Sequence, residues 1–281
     1  MPAPYNPFVA NLEAPPVPSV FAWGRAYDGA RGSLIDLSQA VTGYRPHDKI
    51  MAWLAEAAGS IDYVGYGPIE GESELRSAYA THMSQVYGSD IAAQNIHITS
   101  GCNQAFICAA MTVAGSGDKV ALTNPYYFNQ ETTLQMLGIG THLIPCAEDN
   151  DFLPKLGDVK AALEAGAKAI ALVTPNNPTG SVYPAELLRE IFDLVRAQNA
   201  WLILDETYRD FLPLGAGKPH DLFDIDGWEN NLILLYSFSK SYCVPGHRLG
   251  AVTAGVKTVE QIAKIMDNLQ ICAARSPQAA V

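Results

Sequence analysis

The sequence predicts a three-layer α/β/α fold built on a mostly parallel, seven-stranded sheet. Three observations carry this. From Asn95 onward, short apolar runs alternate with longer segments of helical period, the pattern of a sheet covered on both faces. The run Leu232-Ile233-Leu234-Leu235-Tyr236 is apolar throughout, as a buried strand is. At 281 residues, 48% apolar and 17% charged, the chain can bury a large core.

In order, residues 1–32 are rich in Pro, Gly and Ala, with Pro15, Pro16 and Pro18 close together, and read as an extended arm rather than a core helix. Ile35-Asp36-Leu37 is strand-like, and Val41 to Asp48, with Gly43 and Pro46, reads as a loop. Lys49 to Ala58 puts Ile50, Trp53, Leu54 and Ala57 on one side of a helix. A Pro- and Gly-bearing loop from Tyr66 leads to a helix over Glu72 to Tyr87, which Gly88 is placed to stop. Strands are then expected at Asn95–Thr99, Lys119–Thr123, Thr141–Pro145, Ala169–Thr174, Trp201–Asp205, Leu232–Ser237 and Arg248–Ala254. Helices are expected from Gly101-Cys102-Asn103 to Ala114, and over Tyr126–Leu137, Lys155–Ala165, Pro184–Asn199 and Val259–Gln270. The chain stops at Ala279-Ala280-Val281, just after a Ser-Pro that looks like a helix start. The expectation is a fragment or a truncated form.

A net charge of −11 and a pI of about 4.9 argue against nucleic-acid and anionic-membrane partners, which call for a basic patch. Any anion site must be built locally. There is no run of 18 apolar residues long enough to span a bilayer. The N-terminus lacks the basic and apolar regions of a signal peptide. The five cysteines form no CxxC or metal-ligand spacing, so no metal site is expected, and reduced thiols in the cytoplasm are. No G-x-G-x-x-G follows a strand, which leaves a dinucleotide site unsupported.

The chemistry gathers at strand ends, where open α/β sheets bind ligands. Lys240 follows the Leu232–Tyr236 run, between Ser239 and Ser241, with Arg248 eight residues on. One amine, several hydroxyls and an arginine suit a phosphate held beside a reactive lysine; a solvent-exposed loop lysine is the plainer reading. To form an imine near neutral pH the amine needs a lowered pKa, from burial or from a cation such as Arg248. Asp205 ends an apolar strand, where a carboxylate either meets a cationic ligand or caps the next turn. Tyr208, three residues on, faces the same ligand or is an ordinary amphipathic tyrosine. Asn177, in Thr-Pro-Asn-Asn-Pro-Thr-Gly, is a restrained amide or part of a plain turn. Gly101, Cys102 and Asn103 open a helix whose amides and dipole attract anions; Cys102 reads as a small buried residue, not a nucleophile. Tyr127, or Tyr126 beside it, stacks on a ring or packs in the core.

Taken together, these segments form an ordered set. They are Tyr66-x-Pro-x-x-Gly-x-x-x-Leu-Arg, Ser100-Gly101-Cys102-Asn103, Asn124-Pro125-Tyr126-Tyr127, Asn176-Asn177-Pro178-Thr179-Gly180, Asp205-x-x-Tyr208, Ser237-x-Ser239-Lys240 and Arg248-Leu249-Gly250. In order and spacing the set resembles the class I/II aminotransferases, fold type I of the pyridoxal-phosphate (PLP) enzymes. The resemblance covers roughly residues 35 to 281. It implies a PLP-dependent transferase-like large domain over 47–281 and an N-terminal arm with a partial small domain over 1–46, the C-terminal small domain being absent. It further implies that Lys240 forms the Schiff base and shuttles the substrate α-proton, Asp205 holds the pyridine nitrogen, Tyr208 and Asn177 bond the ring oxygen and Tyr127 stacks on the ring. Ser237, Ser239, Arg248 and the helix start at Gly101, through the amides of Cys102 and Asn103, would bind the phosphate. Tyr66 would reach the phosphate of a partner subunit, implying a homodimer with shared sites. The implied reaction moves an amino group between an L-amino acid and a 2-oxo acid. Alternatives on the same cofactor are a C–S or β-lyase, or a non-catalytic regulatory module. Family members continue into a segment carrying the arginine that grips the substrate α-carboxylate. The sequence lacks that segment, and Arg275 reads as a surface residue.

Overall fold

Strands buried on both faces need partners on both edges and helices above and below. The computed structural model, which describes residues 3–281, supplies them. In chain order the elements are α1 (Pro7–Ala10), α2 (Pro16–Ala26), α3 (Asp48–Gly59), α4 (Ser73–Tyr87), β1 (Ile96–Thr99), α5 (Cys102–Val113), β2 (Lys119–Asn124), α6 (Phe128–Met136) and β3 (Gly140–Pro145). There follow α7 (Leu156–Glu164), β4 (Ala167–Val173), α8 (Ala185–Ala197), β5 (Trp201–Asp205), β6 (Leu232–Ser237), α9 (Phe238–Ser241), β7 (Gly250–Ala254), α10 (Val256–Leu269) and α11 (Arg275–Ala280).

The seven strands form one sheet in the order β1-β7-β6-β5-β4-β2-β3. Strands β3, β2, β4, β5 and β6 pair in parallel. Strand β7 runs antiparallel to both its neighbours, β6 and β1. The mostly parallel sheet and the three layers expected from the sequence are therefore present.

Period-two alternation sorts the side chains between two cores. Leu202 and Leu204 of β5 join Tyr79 and Met83 of α4, Val159 of α7 and Phe192 of α8. Ile203, between them, joins Phe106 of α5, Leu134 of α6 and Ile262 of α10. The helices present matching stripes: Leu188, Ile191, Phe192 and Val195 are the buried residues of α8. Each such apolar side chain contributes about 1.5–3 kcal/mol when fully buried. Among the described residues no helix is long and apolar enough to cross a membrane.

Two local expectations fail. The arm is not wholly extended, because Pro16 and Pro18 fall in the first turn of α2, where a missing N–H leaves no hydrogen bond unmade. Proline starts this helix instead of breaking it, and none of its residues is buried. Ile35-Asp36-Leu37 is not a strand. The Asp36 carboxylate accepts from the Ser38 N–H (2.9 Å) and Oγ, bending the chain in a local turn. Smaller shifts occur at strand β7, which begins at Gly250 because Arg248 adopts a left-handed conformation (φ +51°), and at α6, which starts two residues later than expected.

Candidate active site

The sheet order brings the carboxyl ends of β1, β2, β4, β5 and β6 to one edge, and the reversed β7 delivers its amino end there. Cys102, Asn103, Tyr127, Asn177, Asp205, Tyr208, Ser237, Ser239, Lys240 and Arg248 all line one cavity of about 740 Å³ at that edge. Gly101 lies behind it, under Arg248. Tyr66 stands apart on the surface, 81% exposed.

One end of the cavity is an anion cradle. Gly101 has φ +81° and ψ 168°, a region essentially restricted to glycine. A Cβ there would lie 2.2 Å from Arg248 Nη2. A Cβ on Gly250 would lie 2.7 Å from the Gly101 carbonyl carbon and 2.9 Å from the Cys102 nitrogen. The two glycines let β7 and the start of α5 close on each other, and the guanidinium covers the junction. Arg248 Nη1 donates to the Pro245 carbonyl (3.1 Å). The Ser237 hydroxyl accepts from the Ser239 N–H (3.2 Å), while the Ser239 hydroxyl is buried with no hydrogen-bond partner among the described residues. An orphaned donor, a guanidinium and the first amides of α5 suit a phosphate. Gly101→Ala is expected to displace Arg248 and strain the backbone by about 1–2 kcal/mol, lowering both phosphate-ester affinity in a binding titration and Tm in a thermal scan.

The other end is organised by Asp205, 5% exposed at the last position of β5. Its Oδ1 accepts from the Thr207 N–H (3.0 Å) and hydroxyl (2.7 Å). Its Oδ2 accepts from Gln130 Nε2 (3.3 Å) and the Cys102 thiol (3.5 Å). Asp205 makes no ion pair among the described residues. Burial pushes its carboxyl above the usual range, against the Thr207 and Cys102 hydrogen bonds. A raised folded pKa means that stability present below the unfolded carboxylate value, about 3.9, is lost as pH rises through the folded one. Asp205→Asn is therefore expected to raise the Tm of the ligand-free protein at neutral pH, with the gain shrinking in acid. Thermal scans across pH check this.

Lys240 lines the same cavity, carried by α9 directly after β6. Its Nζ donates to the Ala40 carbonyl (2.7 Å) and lies 5.9 Å from the Tyr208 ring centroid. Burial, then the Arg248 charge, depress its pKa, so it releases a proton more readily than a free lysine. Tyr208 is pushed up to about 12, by burial first and then by Asp205, which keeps the phenol protonated. Burial and Asp205 also hold the Cys102 thiol well above its usual value, in line with its reading as a non-nucleophile. Tyr127 is half-buried, its hydroxyl 3.4 Å from Asn103 Oδ1.

Three features of the site escaped sequence reasoning. Gln130, a buried polar residue within α6, carries no motif; its only signal is an amide on a face shared with Leu134. Thr207, between Glu206 and Tyr208, gives no signal of its own in the sequence, although it donates twice to Asp205. Leu37 to Val41, with Val17 of α2, also line the cavity. Arg275 lies away from it, with its Nε 2.5 Å from Glu72 Oε1 and its Nη1 2.7 Å from the Asp62 carbonyl.

The family model described as aminotransferase class I and II matches residues 33–281. An aromatic aminotransferase of Arabidopsis thaliana is 29% identical over 246 residues, covering 85% of this chain and 60% of that protein. An aspartate aminotransferase of Pyrococcus horikoshii is 30% identical, covering 71% of this chain and 50% of its own length. A valine–pyruvate aminotransferase of Mycobacterium tuberculosis is 28% identical, covering 92% and 66%. The chain thus spans about half to two thirds of these relatives. In fold it is similar to an aspartate aminotransferase from Thermotoga maritima, with a TM-score of 0.89, 24% identity, and coverage of 98% of this chain and 73% of that one.

Proposed function

Because this chain belongs to the class I and II aminotransferases, we propose that it binds PLP and moves an amino group between an L-amino acid and a 2-oxo acid. One observation carries the reading. Asp205 is a buried carboxylate with no ion pair among the described residues, and it opens on the same cavity as Lys240. A buried charge of that kind is costly unless a cation arrives with the ligand, and a protonated pyridine is such a cation.

The residues fit the cofactor at each end. The unpartnered Ser239 hydroxyl and the cradle of Gly101, Gly250 and Arg248 suit its phosphate, with Ser237 and the amides of Cys102 and Asn103 alongside. Asp205 would hold its ring nitrogen, Tyr208 and Asn177 its ring oxygen, Tyr127 its ring face, and Lys240 its aldehyde carbon. When bound, PLP supplies an aldehyde that captures amines and a cationic ring that withdraws electrons from the substrate α-carbon. The chain's own residues do the rest. Lys240, its pKa depressed by burial and Arg248, would carry the proton from the substrate α-carbon to the carbon of the cofactor's aldehyde. Proximity makes that transfer effectively intramolecular. Tyr208, kept protonated, donates to the ring oxygen. Asp205, fixed by four donors, balances the ring charge throughout.

The same reading assigns exposed Tyr66 to the phosphate of a partner subunit in a homodimer. It treats 1–46 as an arm with part of a small domain and 47–281 as the cofactor-binding domain. It puts the protein in the cytoplasm, where its five free cysteines stay reduced.

The test is to incubate the PLP-loaded protein with an amino acid, with and without a 2-oxo acid acceptor. Stoichiometric oxo-acid formation that becomes catalytic only when the acceptor is added supports transamination. Sustained ammonia release without an acceptor would sink it in favour of a lyase.

A further inference from the structure

We propose that Gln130 is a positioning residue for the cofactor: its side-chain amide fixes the Asp205 carboxylate so that the carboxylate grips a protonated ring nitrogen. This rests on the cofactor reading above.

Asp205 lies at the end of a strand whose other residues are apolar, and it is 5% exposed. No lysine, arginine or histidine forms an ion pair with it among the described residues. Its orientation and its charge therefore depend on neutral donors. Thr207 supplies both donors to Oδ1 from two residues away, so that oxygen is held by the local turn alone. The other oxygen is held from distant parts of the chain, by Gln130 of α6 and Cys102 of α5. Of these two the thiol is the weaker donor. Gln130 is thus the strong donor that ties Oδ2 to the helical layer.

The burial of Gln130 fits such a role. It is 3% exposed, and the other buried residue of α6, on the same face, is Leu134. A glutamine with no polar task at such a position would cost desolvation for nothing. Its Nε2 is spent on Asp205.

The role predicts a ligand-dependent effect that packing alone would not produce. Wild-type protein, Gln130→Leu and Gln130→His are titrated with PLP and with its 1-deaza analogue, which carries a C–H in place of the ring nitrogen. Gln130→Met replaces the leucine variant if that one does not fold. Loss of a hydrogen bond to a charged group should weaken PLP binding by about tenfold or more in Gln130→Leu. Affinity for the deaza analogue should be unchanged. Gln130→His, which restores an N–H donor, should recover most of the PLP affinity. The proposal is overturned if Gln130→Leu weakens both ligands equally, which is a packing effect, or weakens neither. If the wild type binds neither ligand, the cofactor reading falls and this proposal falls with it.

Discussion

Lys240→Ala is expected to abolish the imine absorbance of the PLP-loaded protein and to remove nearly all amino-group transfer. Two effects combine. The amine is the only nucleophile among the cavity residues whose pKa is depressed, by burial and by Arg248. The Cys102 thiol beside it is pushed the other way. Losing it removes the covalent anchor and also the proton shuttle, and the shuttle alone is worth about 10²–10⁴ in rate. The anion cradle does not include the Lys240 side chain, so phosphate-ester affinity should persist. The checks are an absorbance spectrum with a single-turnover assay, and a binding titration on the same variant. An unchanged spectrum in the alanine variant would overturn the role assigned to Lys240. Arg248→Lys should shift the lysine less than Arg248→Leu does, because it keeps the charge while losing the planar fork.

The largest loss of stability is expected from Arg209→Leu. Arg209 is 3% exposed beneath the site, with Nη1 3.7 Å from Glu206 Oε2 and Nε 3.5 Å from Asp210 Oδ1. Its guanidinium stands 4.5 Å from the Tyr236 ring centroid, and Nη1 lies 3.2 Å from the Tyr87 hydroxyl. The geometry is loose, since Nε and Nη2 make no hydrogen bond among the described residues. The network therefore adds little net stability, yet breaking it takes from the buried Glu206 its arginine partner, leaving His220 and Tyr87 to compensate the charge. Urea unfolding should show a loss of about 3–5 kcal/mol. The double variant Arg209→Leu/Glu206→Leu should lose less than Arg209→Leu alone. Burial pushes Glu206 up, but His220, Arg209 and Tyr87 outweigh it and hold its carboxyl below the usual value. A lowered folded pKa means that this stability is present above the unfolded value, about 4.3, and is lost as pH falls through the folded one. The dependence is opposite in sign to that of Asp205, one residue earlier.

What could be read from the sequence follows from where each residue sits. Asp205, Ser237 and Lys240 stand at or just past the ends of apolar runs, so the strand pattern itself pointed to them. Gly101 was visible because glycine permits a backbone shape other residues cannot take, and Asn177 because the prolines beside it restrict the loop. Gln130 was not, since a polar residue inside a helix has no partner in the local sequence; its partner lies 75 positions away. The buried cluster around Arg209 was hidden for the same reason, as it joins α4, β6 and the segment after β5. Proline misled at α2, where its place in the first turn reverses its usual meaning. Ile35-Asp36-Leu37 misled because apolar content alone does not make a strand without a neighbour to pair with.

The position of β1 bears on how the molecule is made. Among the described residues β1 precedes the other strands in chain order, and it lies at the sheet edge beside β7, which follows them. Thr99 pairs with Gly250, and all the register contacts of β1 fall within residues 250–253. During vectorial synthesis β2 to β6 can assemble while β1 waits with its backbone unpaired. Contacts this distant in sequence form late and slowly, and unpaired strand edges invite association with other chains. The cradle at Gly101 and Arg248 is completed by the same event, so a nascent chain can acquire its phosphate grip only after β7 has emerged. Pulse-labelled, ribosome-bound chains arrested before residue 250 should fail to retain a phosphate ester that released chains hold.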